Sequence, residues 1–450
     1  MDASAWYPLS IARYSAPLYV MSDSSRTTLV DTLKRLDQHL DKLPGSLTGR
    51  VRKHLAELRT LLLEKRPARL ALVGRRGSGK SSLINALFGE EVAAVGHETA
   101  QTGAAQWYTY ESDLGALEIL DTRGLQEGSN PAEDDTADSP EASIQNALSD
   151  TAPDVLLFLI KAQEVDAAID GDLEALSSIA TRVKQMHGHR PPIVGVVTHC
   201  DLLEPQYVRL HQPEDEDPAE LQEKQERVEA VQSHLTDKID SYPALADAVV
   251  RTFGVALYQS WDAQGHRRAD ARWQVEALVE YLLTQLPDEA QVEFARLSRM
   301  QALQKLIANR LTQSTAMVCA GIAATPTPLA DIAPITTAQV LLVMAIGYLG
   351  GRRMDLEAAR EFLAAAGVNV GAGFVLREAA RALVQVVPGF GQAVSASVAY
   401  AGTYAVGTAA TSYFLRGQTD DLEAQFQEAF EEGRKAAPDD LTVHPNSESA

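Results

Sequence analysis

Leu29, Leu33, Leu36, Leu40 and Leu43 recur at alternating spacings of four and three, which draws one apolar stripe along a helix that Pro44 closes. Val51, Leu55, Leu58 and Leu62 repeat the stripe at once, so residues 25 to 65 are predicted to form a helical hairpin. Such a stripe can pack on a neighbouring domain or zip into a short coiled coil, and two heptads favour packing.

From Leu70 the period changes. Short apolar runs at 69–73, 104–110, 116–120, 154–160, 192–198 and about 248–257 alternate with helix-length segments, which predicts a doubly wound α/β sheet, mostly parallel. The second and third runs are joined only by Glu111 to Gly115, so they form an antiparallel hairpin at one side of that sheet. Acidic stretches at 126–141 and 214–217 read as surface loops.

After residue 290 the composition moves to Ala, Gly, Ser and Thr. Asp331 is the one charge between Leu311 and Gly351, and none occurs from Ala382 to Leu415. The expected organisation is an N-terminal arm and helical hairpin over 1–66, an α/β domain over 67–290 and an all-α domain over 291–418. An exposed acidic helix and a disordered tail follow over 419–450.

Charge and cysteine content narrow the partners. Lys and Arg total 40 against 61 Asp and Glu, a net charge of −21, the wrong sign for a nucleic-acid backbone. Cys200 and Cys319 stand far apart in no metal-ligand spacing, so neither a zinc site nor a disulfide framework is expected. The N-terminus carries Asp2 where an export signal needs positive charge, and a cytoplasmic protein is the expectation.

Three short motifs carry the chemistry. Gly74-Arg75-Arg76-Gly77-Ser78-Gly79-Lys80-Ser81 fits G-x-x-x-x-G-K-S between a predicted strand and a predicted helix. In such a loop the backbone N–H groups of Gly77, Ser78 and Gly79 turn inward onto a β-phosphate, and the helix that starts through Ser81 and Ser82 adds its positive end. Lys80 would bridge β- and γ-phosphates, and the Ser81 hydroxyl would ligate Mg2+. Asp121-Thr122-Arg123-Gly124 follows the strand at 116–120; Asp121 would hold Mg2+ through water, and the Gly124 N–H would sense the γ-phosphate. Thr198-His199-Cys200-Asp201 follows the strand at 193–197, where the Asp201 carboxylate can accept both the N1 and N2 hydrogens of guanine. Adenine has no such donor pair, so GTP and GDP are the expected ligands.

These residues, and the run Lys80 to Gly89 with them, resemble the Era-like bacterial P-loop GTPases of the translation-factor-related class. Ala100-Gln101-Thr102 is similar to that family's first switch. The resemblance implies that Thr102 closes over magnesium and γ-phosphate, with Thr99 as the alternative. The block from Pro328 to Gln339 is similar to a helical domain of unknown function found in membrane-associated bacterial GTPases.

The pattern also departs from that family. His199 stands where its guanine motif carries lysine, and Leu125 stands where a Ras-type enzyme carries its water-orienting glutamine. Gly77 replaces the asparagine that holds potassium in some relatives. Arg76 is the candidate for neutralising charge on the γ-phosphate, with an outward-facing or acid-paired arginine as the alternative. Ser260 is a weak candidate for the last guanine contact. Slow intrinsic hydrolysis, raised by self-association or by a partner, is the resulting expectation.

The uncharged C-terminal segments leave two readings open, a soluble helical domain or peripheral or hairpin contact with the inner face of the membrane. Ala393, Ser397, Ala401, Ala405 and Ala409 form a small-residue seam that suits either. The expected function is a GTP-driven switch whose nucleotide state controls this helical domain, with a protein effector and a second copy of the chain as candidate partners. The alternatives are a self-assembling membrane-remodelling GTPase of the dynamin type and a ribosome-assembly factor.

Overall fold

The computed structural model describes residues 27, 29–31, 33–34, 37–38, 45–92, 106–112, 114–121, 146–149, 151–166, 169–243, 245, 249–324, 332–366, 395–418, 421–438 and 441. Thr99, Thr102, Gly124, Leu125 and the acidic stretch at 126–141 lie outside the described residues.

Helix α1 (Gly45–Leu63) leads into strand β1 (Ala68–Val73), and helix α2 (Lys80–Phe88) follows. Strands β2 (Gln106–Ser112) and β3 (Gly115–Asp121) form the hairpin, and β4 (Val155–Lys161), α3 (Asp170–His187), β5 (Ile193–Thr198), α4 (Pro218–Asp240) and β6 (Val249–Gly254) complete the alternation. Among the described residues these strands build one six-stranded sheet in the order β2-β3-β1-β4-β5-β6. Only β2 runs antiparallel, paired to β3 from Gln106↔Asp121 to Ser112↔Gly115. The buried strands β1, β4 and β5 are apolar almost throughout because helices cover both faces.

Side chains alternate between two cores. Ala71, Val73, Leu156, Phe158 and Ile160 point to the face covered by α3 and α4. Leu70, Leu72, Leu117, Leu157 and Leu159 point to the other face, and the cluster they join runs without a break into the C-terminal helices. Full burial of each of the larger side chains contributes about 1.5–3 kcal/mol.

Beyond the sheet, β7 (Gln259–Trp261) and β8 (Arg267–Asp270) pair as a small separate hairpin, and helices α5 (Val275–Gln285) and α6 (Asp288–Leu297) return to the sheet. Helix α6 spans residue 290 and lies against β1 and β3. The bundle comprises α7 (Gln301–Ala323), α8 (Ile332–Leu349), α9 (Leu356–Ala365), α10 (Ala396–Arg416) and α11 (Leu422–Ala436).

The seam at Ala401, Ala405 and Ala409 is fully buried in α10, which packs against α7, α8 and α11. Gly407 meets Thr312 of α7 so closely that a methyl there would strike its side chain. No described helix is long and apolar enough to cross a membrane. Helix α11 differs from expectation: its acidic residues face water, but Leu422, Phe426 and Phe430 form a buried stripe on α10, so it is half packed rather than exposed.

Candidate nucleotide site

The phosphate loop, Asp121 and the Thr198–Asp201 motif sit at the carboxyl ends of parallel strands, the edge where open α/β sheets bind ligands. Val73 ends β1, and the chain turns through Gly74 to Ser78 before α2 begins. Gly77 and Gly79 adopt φ of +77° and +92°, values that side-chain-bearing residues rarely take, and the Ser78 amide closes the turn on the Arg75 carbonyl at 3.1 Å. Gly74 runs against the β4 backbone: a methyl on it would strike the Leu159 carbonyl and stand 2.7 Å from Ser78 Oγ. Lys80 Nζ folds into the loop and donates to the carbonyl oxygens of Gly74 and Arg75, the second at 2.9 Å. Ser81 and Ser82, half-buried, begin the first turn of α2.

The loop is held from outside by β5. Thr198, fully buried, donates its hydroxyl to the Ser78 carbonyl at 2.9 Å, and its oxygen lies 2.9 Å from His199 Nδ1. A methyl on Gly79 would meet the side chains of Thr198 and Leu257 at 3.4 and 3.5 Å. One residue therefore fixes the spacing between the phosphate loop and the loop that carries Asp201.

His199 takes φ of +57° and turns the chain into the short 3-10 segment Cys200–Leu202, which places Asp201 half-exposed at the strand end. Burial pushes the His199 imidazole below its ordinary pKa, which favours the neutral ring. Burial pushes the Cys200 thiol up to about 12, which makes it inert filling for the loop.

Lys224, from the middle of α4, is a component that the sequence reading missed. Its side chain is buried, and Nζ donates to the carbonyls of Asp201, Pro205 and Val208 at 2.8, 3.2 and 2.7 Å. Burial lowers its pKa. It pins the loop that carries Asp201, yet in a helix reading Gln222-Glu223-Lys224-Gln225-Glu226 it looks like any solvated lysine.

Asp121 ends β3 and is in parallel register with Leu72 of β1, which brings its backbone beside the strand that feeds the phosphate loop. Of the two loop arginines, Arg75 pairs through Nε with Asp172 Oδ2 at 2.8 Å, across to the start of α3. Burial raises the Asp172 carboxyl above its usual range against the opposing pull of that guanidinium. Arg76 is exposed on the outer turn. Ser260 lies on β7 in the separate hairpin, whereas the segment beside the Asp201 loop is Val255 to Leu257: the Cys200 amide donates to the Val255 carbonyl at 3.2 Å. That segment carries no serine, which is why pattern matching passed over it.

Residues 69–198 match the family model described as a 50S ribosome-binding GTPase, so this segment, β1 through β5, is a P-loop GTPase domain. Among curated proteins, the tRNA modification GTPase MnmE of Xanthomonas campestris is 30% identical over 178 residues, which is 37% of this chain and 35% of that protein. Ribosome biogenesis GTPase A of Thermotoga maritima is 38% identical over 76 residues, 16% of this chain and 28% of that one. The chain thus spans about a third of the length of these relatives. Among solved structures, Toc33 from Arabidopsis thaliana in complex with GDP and Mg2+ covers 56% of this chain and 96% of its own, at 16% identity and a TM-score of 0.32. Era of Aquifex aeolicus bound to GDP and aluminium fluoride covers 56% and 66%, at 16% identity and a TM-score of 0.28.

Proposed function

We propose that the chain binds GTP and GDP with Mg2+, hydrolyses GTP, and acts as a switch that passes its nucleotide state to the C-terminal helices. The observation that carries this is the bond from Thr198 to the Ser78 carbonyl, which joins a phosphate-cradling loop to a loop presenting a carboxylate. In this reading Lys80 contacts the β- and γ-phosphates, and the amides of Gly77, Ser78 and Gly79 and the start of α2 at Ser81 and Ser82 surround them. Asp201 accepts from the guanine edge while Thr198 and Lys224 hold it in place.

The donor chemistry suits Mg2+, a hard cation that prefers oxygen: a serine hydroxyl at Ser81, a carboxylate at Asp121 and the hydroxyl of Thr102. No cluster of His, Cys, Asp or Glu that would hold a softer metal occurs among the described residues. When bound, the ion neutralises phosphate charge. The Gly124 amide reports the γ-phosphate to the segment after β3.

The route outward is the hairpin. In the sequence β2 and β3 lie between the two switch segments, and their connecting turn at Leu114 and Gly115 touches α6. A movement of either switch is transmitted along the strands to that turn. Nucleotide-binding titrations of the purified full chain with GDP, GTP and ADP, and phosphate release from GTP, test the reading. Binding of guanine over adenine nucleotides that disappears in Lys80→Ala is expected; equal affinity for ADP would sink it.

A further inference from the structure

Strand β4 ends on Lys161, which stands opposite Thr198 in the parallel register with β5. Its side chain reaches over the phosphate loop: a methyl placed on Gly77 would stand 3.4 Å from Nζ and 3.5 Å from Cε. The ammonium is 3.1 Å from Glu164 Oε1, within the 3-10 segment Ala162–Glu164 that directly follows the strand. Gln163 Nε2 in that segment donates to the Leu202 carbonyl at 3.3 Å, so the chain after β4 is laced to the loop that carries Asp201. Lys161 is therefore held between the two loops that define the site, with its side chain 30% exposed and its charge open to the solvent edge where a ligand enters.

The charge matters because of what its neighbour lacks. The first residue after β5 in this wall is His199, whose burial disfavours a positive charge on the imidazole. A ligand with two or three phosphates needs fixed positive charge along its length. Lys161 supplies it from the adjacent strand, where the phosphates compete with Glu164 for the ammonium.

Resting on the proposed guanine-nucleotide site, we infer that Lys161 is a nucleotide-binding residue. Its ammonium attracts the phosphates of a bound guanine nucleotide across Gly77, and its stem forms the wall between the phosphate loop and the Asp201 loop.

The test is equilibrium binding of fluorescent GDP and GTP analogues to the full chain in Mg2+, with a thermal melt of every variant. Lys161→Met should weaken both nucleotides about tenfold, as expected for loss of a charge-assisted contact, with an unchanged melt in the absence of nucleotide. Lys161→Arg keeps the charge and should recover most of that loss. Glu164→Gln should bind as tightly as the parent or tighter, because it removes a negative charge beside the phosphates. Parental affinity in Lys161→Met would overturn the inference and leave the nucleotide site standing. So would a loss in Glu164→Gln equal to that in Lys161→Met, since the ion pair would then be what matters. Should Lys161→Met melt early, Lys161→Arg and Glu164→Gln decide by the same criteria. No guanine-nucleotide binding by the parent chain, or binding indifferent to Lys80→Ala, would remove the proposed function and this inference with it.

Discussion

Arg296 donates through Nη1 to the Leu114 carbonyl at 2.6 Å, which ties helix α6 to the turn of the β2–β3 hairpin. The same guanidinium donates through Nε to the Tyr348 carbonyl at 2.8 Å, so one buried arginine clasps the hairpin to the end of α8. Around it Lys65, Glu293 and the Tyr348 hydroxyl bond to one another at 2.5 to 2.9 Å. Such a network, away from solvent, fixes one arrangement because breaking any member strands the others.

Arg296→Met is therefore expected to lower stability by about 2–4 kcal/mol, since it removes a buried guanidinium that donates to the Leu114 and Tyr348 carbonyls at once. It should also uncouple the bundle. Limited proteolysis of the C-terminal helices, if it differs between GDP and GTP in the parent chain, should become indifferent to nucleotide in the variant; retained sensitivity would show that coupling runs elsewhere.

Lys224→Met removes the donor shared by three carbonyls in the Asp201 loop. The expected cost is about 2–3 kcal/mol in chemical denaturation. GDP affinity should fall with it, because Asp201 loses its fixed position. A variant that melts early yet binds GDP at parental strength would separate loop stapling from recognition.

Asp201→Asn exchanges one acceptor oxygen for an amide donor, which suits xanthine, whose 2-position is a carbonyl, better than guanine. A loss of GDP affinity of about a hundredfold, with xanthosine diphosphate gaining, is expected for a site built on hydrogen-bond pairing. Competition binding with the two nucleotides measures it, and an unchanged preference would remove Asp201 from base recognition.

Hydrolysis by dilute protein should be slow, because Leu125 has no group that can orient water. The rate per molecule should climb with protein concentration if a second copy completes the site, and Arg76→Ala should flatten that climb if the exposed guanidinium acts on phosphate. Fast turnover in dilute monomer would count against both statements.

Glu57 gives the acid limb of stability. Its bond to His54 is the largest influence, and with Ser314 and Arg310 it draws the carboxyl down from 4.5 to about 2, against the opposing effect of burial. The folded pKa is depressed, so the contribution is fully present above pH 4.5 and is lost as pH falls toward 2. With solvent screening counted, it amounts to about 1–2 kcal/mol. Glu57→Gln should cost that much at pH 7 and little at pH 2.5, read from urea midpoints.

The strands were legible because buried parallel strands are written as unbroken apolar runs, as in Val155 to Ile160 and Ile193 to Val197. The turn from Gly74 to Ser81 was legible because its glycines answer steric needs visible in any one sequence. Long-range bonds were not. Asp172 and Lys224 sit in helices whose local composition says nothing of the Arg75 guanidinium or the three carbonyls they meet. In α11 the acidic residues outnumber and obscure Leu422, Phe426 and Phe430, whose spacing of four marks a packed face.

The unbroken core beneath Leu70, Leu117 and Leu157 bears on how the chain melts. Cutting after Leu297 would strip the cover from α1, α6 and one face of the sheet, so neither fragment would hold its shape alone. Sheet and bundle should instead unfold together in a single calorimetric transition. A nucleotide bound at the upper edge would raise that one midpoint for the C-terminal helices as much as for the loop it touches.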